Sequence, residues 1–461
     1  MDTAMSPRAK RVAATLRRLV RRGAHQRISN LLSKVRPEDL ALSLLDFTPA
    51  EQLRVFRILL ESYPEAAVDV LTELERPVRV SLLERLSPEQ VGNIVKNAPV
   101  DDAVYLIESM PPELKEKILD LVDLGGMTEV QSHLTYEDDS AGRIMDTEFF
   151  SLPESTRVSQ AVAKIQELQD VEMIFYLYVV DDAGSLLGVT SLRQLLLTRP
   201  EKTLGEIMQP DIIKVTTETD QEVVAQLAAR YDLLAIPVTD ELNHLVGIVT
   251  VDDIVDVVRE EATEDFYKIV GTSDDELHYH GKAWRVAGIR LPWLFANMIG
   301  LTLTGFLLEF FQHRYESYLF LLGFVPLVMG MGGTTGSQTS TITVRGLATG
   351  RLASDARGSG WFVWHQVRVG LVVALCTAFA ASAVALLRHQ SWSFALMVAV
   401  ALLVVIFIAT LSGALVPLLF KRLGIDPAVA AGPLVTMSSD ITGILVYFGL
   451  VALMFKFLLL V

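Results

Sequence analysis

"GPLVTMSSDITGILVYFGLV" runs from Gly432 to Val451. It is apolar enough for lipid, yet it holds one ionised side chain, Asp440. A carboxylate at membrane depth is costly, so it is expected to face a polar cavity and mark a path for ions or protons. The bland alternative is a buried pair with a cation. No Lys or Arg occurs between Arg422 and Lys456, and Lys456 lies over about four helical turns away. Working outward, we read five hydrophobic segments, at 287–310, 317–349, 361–386, 394–419 and 427–460. Each exceeds the ~20 residues that cross a bilayer core. An α-helical transmembrane domain with five crossings is therefore expected over 286–461.

Two of these segments are irregular. The second contains Pro326 and then "GMGGTTGSQTST", Gly330–Thr341. So many glycines and hydroxyls argue against a lipid-facing helix, and non-helical backbone at membrane depth must be buried in protein or line a wet cavity. The fifth carries Gly432-Pro433, which should break or kink it. These two segments are the natural pore walls, lined by Gly332, Gly333, Thr334, Gly336, Ser337, Gln338, Gly432 and Thr436. Close helix packing is the alternative use of the small residues. An aspartate pair in a pore favours cations. One carboxylate per chain is too few for a dehydrated cage, but it can hold a hydrated Mg²⁺ if a second copy supplies its mate. No His or Cys cluster lies at membrane depth, which argues against a soft-metal site.

Charge falls in blocks. Residues 1–36 hold ten Lys/Arg and one acid, residues 37–280 hold 49 acids and 18 bases, and residues 281–461 hold five acids and twelve bases. Lys282, Arg285, Arg345, Arg351, Arg357, Lys421 and Arg422 put the acidic body and the second and fourth loops in the cytosol. Five crossings then leave the C-terminus outside. Cys376 is the single cysteine, so no disulfide forms within a chain. The basic segment 1–27 has helically spaced Val12, Leu16, Leu19 and Val20. It reads as an amphipathic helix on an anionic membrane surface, as an organellar transit peptide, or as a solvated tail.

Residues 28–135 repeat. Prolines recur at 37, 49, 64, 77, 88, 99 and 111, with acids after several of them. Proline in a helix's first turn is a start signal, so an all-α superhelical stack is expected. A second repeat pairs 138–200 with 201–265. Each copy reads as an "IM" turn, a short strand, a helix, a β-branched strand, a turn, a second strand and a helix. This resembles a pair of CBS modules, α/β units that often sense nucleotides. In such modules a Thr and an Asp three residues on can hold a ribose. The second copy has "GIVTVDD", with Thr250 and Asp253, whereas the first has Ser191 and Gln194. A purely structural module is the alternative.

The run Thr250–Arg285 holds ten acids. Helical spacing puts Asp253, Asp256, Glu260 and Glu264 on one face, where they repel unless a cation lies between them. A solvated face is the plain reading of such a run. Asp265, Asp274 and Asp275 extend the candidate regulatory metal set. His278 and His280 read as ordinary surface residues.

"PLVMGMGGTTGSQTSTITVRGLATG" (Pro326–Gly350) and "DPAVAAGPLVTMSSDITGILVYFGL" (Asp426–Leu450) closely resemble the pore motifs of the MgtE family of magnesium channels. The resemblance spans nearly the whole chain. It implies a homodimer with one pore on its two-fold axis, Asp440 holding a hydrated Mg²⁺, and closure when cytosolic Mg²⁺ bridges acids of the N domain, the CBS pair and a plug helix. That plug is placed at 266–285. The resemblance also implies ATP at the CBS pair, at Thr250 and Asp253. The family commonly reads G-G-N-x-G-N-Q where Thr334 and Ser337 replace the asparagines, leaving fewer amide ligands. The expected function is passive Mg²⁺ uptake across the cell (inner) membrane. No nucleotide-hydrolysis motif argues for a pump or an enzyme, and no nucleic-acid partner is expected. The rival is a divalent-cation exporter or coupled exchanger on the same scaffold. An anion channel is disfavoured by Asp440, and a tethered nucleotide-sensing scaffold would transport nothing.

Overall fold

The computed structural model describes residues 7–125, 128–167, 175–273, 276, 283–314, 322–352, 356–389 and 392–458. It divides into two compact units, Met1–Val258 and Arg259–Val461.

The first unit opens with short helices. Pro37, Pro49, Pro64 and Pro88 each start one, where the missing N–H goes unused. Thr48 with Glu51, and Ser87 with Gln90, close reciprocal capping boxes. The inward faces form one apolar core, including Val55, Phe56, Leu59, Leu71, Leu83 and Ile107. The helix Pro7–Arg21 joins that core through Val12, Leu16 and Val20. Residues 7–21 are therefore neither a free tail nor an inserting membrane helix, because their apolar stripe is already buried in protein.

Two three-stranded sheets follow, Ser151–Pro153, Tyr176–Val180, Leu186–Ser191 and Val215–Thr216, Ala235–Thr239, Leu245–Thr250. In each the first pairing is parallel and the second antiparallel. Each hairpin turn is tied by an aspartate. Asp181 accepts from the N–H groups of Ala183 and Ser185, and Asp240 from those of Leu242 and His244. The two copies exchange leading segments. Asp146 pairs with Ile248 of the second sheet, and Gln209 pairs with Val189 of the first. The repeated methionine follows the same exchange: Met145 covers Gly247 and Met208 covers Gly188, each so closely that a Cβ has no room.

The helix Val251–Val270 runs unbroken past residue 265, where the sequence reading ended the second module. Residues 274–275 and 277–282 lie outside the described residues, so part of the expected plug, with Asp274, Asp275, His278 and His280, is not described.

The second unit is helical. Among the described residues, four helices are long and apolar enough to cross a membrane, over Ala283–His313, Gly358–Arg388, Trp392–Arg422 and Leu434–Leu453. The Gly- and Thr-rich segment departs from expectation, for it is continuous helix from Val325 to Ala348. Thr335, Thr339 and Thr343 return their hydroxyls to the carbonyls four residues back, at 2.8, 2.9 and 2.7 Å, which keeps those polar groups satisfied inside the helix. Three of its glycines, Gly332, Gly336 and Gly346, serve close packing. Gly413 lies on the carbonyl oxygen of Gly336, and Gly336 faces the hydroxyl of Ser439. The expected break at Gly432-Pro433 is present: one helix spans Pro427–Ala431 and the next Pro433–Leu458.

Candidate ion pathway and acidic clusters

Asp440 is 8% exposed within the helix Pro433–Leu458. Its carboxylate has no hydrogen bond or ion pair among the described residues, so the bland reading of a buried Asp–cation pair finds no cation. Gly333 lies beside it. A Cβ on Gly333 would sit 3.6 Å from Oδ1 of Asp440 and 3.5 Å from the Thr436 methyl. Gly332 and Gly336 instead border Ser439. The hydroxyls of Ser340 and Ser439 are buried without partners in the described structure. Thr334 and Gln338 are exposed one helical turn apart, with Ser337 half-buried and Thr341 exposed on the next turn. A polar stripe thus runs along one side of a helix whose other side is packed. Arranged this way, a lone carboxylate backed by glycine and hydroxyls can attract a cation whose waters need oxygen partners. Because the segment is helical, the carbonyls of Gly332, Gly333 and Gly336 belong to the helix's own hydrogen-bond ladder rather than to a loop.

Gly432 marks a second meeting point, against the carbonyl of Ile269. Ile269 packs with Val344 and Ala428. Lys268 stands 2.5 Å from Glu264 and 2.7 Å from Asp426. Burial disfavours its ammonium, but hydrogen bonds to Asp426 and Glu264 outweigh that and raise its pKa. Burial and the Asp426 charge push Asp265 up to about 6. Asp426 also accepts the N–H of Ala428 at 2.8 Å, capping the short helix before the break.

A third cluster lies wholly in the first unit. Asp101 and Asp102 open the helix Val100–Glu108. Burial, then the charge of Asp253, pushes Asp101 up to about 8. Burial, then Asp69 and Asp252, pushes Asp102 up to about 6. Asp253 is raised to about 7, chiefly by burial and against the hydrogen bond from Thr250. Asp146 is raised too, mainly by burial. One oxygen of Asp101 is buried with no partner in the described structure. Raised carboxylates in mutual repulsion are what a site for added positive charge looks like without it. Among the described residues, however, no three acids or histidines converge closely enough to grip an ion.

Beside this cluster, Arg143 is 6% exposed. It bonds Glu108, the Asp138 carboxylate at 2.8 Å and the carbonyls of His133 and Tyr136 at 3.0 and 3.3 Å. It ties the helices Val100–Glu108 and Thr128–Leu134 to the start of the first CBS-like copy.

The single acidic face read from spacing is therefore divided. Asp253 belongs with Asp101, Asp102, Asp146 and Asp252, while Glu264 and Asp265 belong with Lys268 and Asp426. Asp256 and Glu260 lie between on exposed turns of the same helix. Glu276, described between the undescribed stretches, pairs with Arg290 at 2.5 Å. Thr250 gives its hydroxyl to Asp253 at 2.7 Å, so the two expected nucleotide ligands hold one another. Sequence reasoning missed Asp101, Asp102, Asp146, Lys268 and Asp426 as site residues.

Comparison with known proteins follows this division. The profile of the divalent cation transporter domain MgtE matches residues 325–450, that of the MgtE intracellular N domain matches 35–139, and that of the CBS domain matches 141–200 and 204–260. The chain is 34% identical to the magnesium transporter MgtE of Thermus thermophilus, over 97% of this chain and 99% of that one. The chain belongs to the MgtE family of magnesium transporters. A second MgtE, from Bacillus subtilis, is 32% identical over 94% of this chain and 95% of its own. A structure of the soluble part of a magnesium transporter is similar at 30% identity, with a TM-score of 0.49, over 55% of this chain and 99% of that chain. The MgtE transporter profile covers both the polar-striped helix and Asp440, and the MgtE N-domain profile covers Asp101 and Asp102.

Proposed function

We propose that this MgtE-family chain is a passive Mg²⁺ channel for uptake, closed by cytosolic Mg²⁺. The observation that carries the reading is the unpaired carboxylate of Asp440 beside Gly333 and Thr436. The ion is cargo here, drawn through with its waters. A homodimer would bring two copies of Asp440 to one axis, with the striped helix as a fifth crossing and the C-terminus outside. For a divalent ion a 100 mV potential supplies ~4.6 kcal/mol, from ~2.3 per charge, so no coupled gradient is needed.

Regulation would use the two acidic clusters. Without cytosolic Mg²⁺, Asp101, Asp102, Asp146 and Asp253 repel and the helical-repeat superhelix loosens from the CBS pair. Bound Mg²⁺ would draw them together, with the Asp265 and Asp426 cluster acting at the break. Switching a population from 1:99 to 99:1 takes ~5.5 kcal/mol of differential binding, which several weak sites can supply together. A relative's cytosolic domain, described as that of the Mg²⁺ channel MgtE, has been solved with ATP. ATP at Thr250 and Asp253 would require their mutual hydrogen bond to open.

The test is Mg²⁺ uptake into liposomes carrying the intact chain or Asp440→Ala. Uptake is expected with the first and not the second, without a sodium or proton gradient. Flux that requires such a gradient would replace this reading with a coupled exchanger.

A further inference from the structure

Residues 8–36 carry ten Lys and Arg and no Asp or Glu. The fold uses only some of them. Arg8 lies 3.5 Å from Asp39, and Arg17 lies 3.9 Å from Asp46 and over the ring of Phe47. Arg11 and Arg18, two turns apart, share the face of Pro7–Arg21 opposite Leu16 and Val20. Arg22 follows in the turn and Arg27 sits on the helix His25–Leu32. These four side chains are exposed, and none has a hydrogen bond or ion pair among the described residues.

We propose that this arginine face docks on anionic lipid headgroups by charge alone. The argument starts from what the face lacks. Among the described residues, no large hydrophobic before Leu196 is exposed and Leu19, Leu31 and Val35 are half-buried against the core, so this surface offers little apolar anchor. A stable protein interface needs such an apolar centre, and single-stranded nucleic acid needs aromatic platforms. An anionic leaflet needs neither, because its surface potential attracts clustered Lys and Arg within a Debye length. The same chain carries four helices fit to cross a bilayer, so such a leaflet is always at hand. The buried positions of Val12, Leu16 and Val20 make this a rigid, non-inserting contact. Salt weakens it, and divalent cations that coat the lipid compete with it.

The test uses the full chain in nanodiscs. Asn30→Cys, exposed on the second helix, is labelled with a donor dye in a Cys376→Ser background. Energy transfer to headgroup-labelled lipid is read with phosphatidylcholine alone and with added phosphatidylglycerol. Transfer should rise with phosphatidylglycerol and fall with added salt. Replacing Arg11, Arg18, Arg22 and Arg27 by Gln should lower lipid association by about fivefold per charge at low ionic strength, with Mg²⁺ uptake unchanged as the check on folding. Transfer that ignores phosphatidylglycerol, or a quadruple variant that behaves as the parent, overturns the proposal. Binding of soluble polyglutamate without any lipid effect would overturn it in favour of an acidic protein partner.

Discussion

Gly432 lies directly against the carbonyl oxygen of Ile269, closer than any Cβ could approach. The last turn of Val251–Val270 therefore touches the break that precedes the Asp440 helix. Gly432→Ala must push the two apart. Uptake should persist while cytosolic Mg²⁺ inhibits it less, measured as flux against graded Mg²⁺ on the cytosolic side. An unshifted inhibition curve would deny that the contact transmits closure.

Lys268 bridges Glu264 and Asp426. Lys268→Met leaves Glu264, Asp265 and Asp426 to repel one another. A part-exposed ion pair of this kind contributes about 1 kcal/mol at most. Open probability in Mg²⁺-free single-channel recordings should rise, by up to about fivefold. A fall would show that the lysine opposes closure.

The raised carboxyls of Asp101, Asp102 and Asp253 are expected to make the first unit sensitive to pH. Asp102, Asp253 and Asp101 are raised to about 6, 7 and 8 from an ordinary value near 3.8. A raised carboxyl contributes stability while protonated, and that stability is lost as pH climbs from the ordinary value through the raised one. Without metal, the chain's soluble region should melt at higher temperature near pH ~5.5 than near pH ~8. Mg²⁺ should restore the melt mainly at the higher pH and release protons as it binds, readable by calorimetry in buffers of different ionisation enthalpy. Asp101→Asn with Asp253→Asn should flatten both effects.

Gly413 meets the carbonyl of Gly336 where a side chain would need to be. Gly413→Ala overpacks that contact, costing about 1–3 kcal/mol. The detergent-solubilised protein should melt earlier and transport less. Gly330→Ala, on the same helix as Gly336 but with nothing within 4 Å of its Cβ, should leave the melt unchanged or raise it slightly.

Several features were legible because local chemistry and tertiary use agree. Proline at helix starts, the Gly432-Pro433 break and the solitude of Asp440 need only the neighbouring residues to be read. "GMGGTTGSQTST" was misread as irregular because its helix depends on partners. Threonine hydroxyls satisfied along the helix, with Gly336 pressed on Gly413 and Ser439, override a local preference for loops. Asp101 and Asp102 were hidden for the opposite reason. Acids in a helix's first turn already have a local explanation, so nothing in the string signals that Asp253 and Asp146 stand across from them. Asp426 was obscured likewise, as an ordinary cap that also holds Lys268.

The crossed methionines have an implication for inheritance. Met145 fills the notch over Gly247 and Met208 fills the one over Gly188, so neither copy is complete by itself. A chimaera that imports one copy from a distant cousin would arrive with a foreign knob and an unmatched hollow. Viable grafts should therefore carry both copies together, and drift at either glycine should be tolerated only alongside a smaller residue at its opposite methionine.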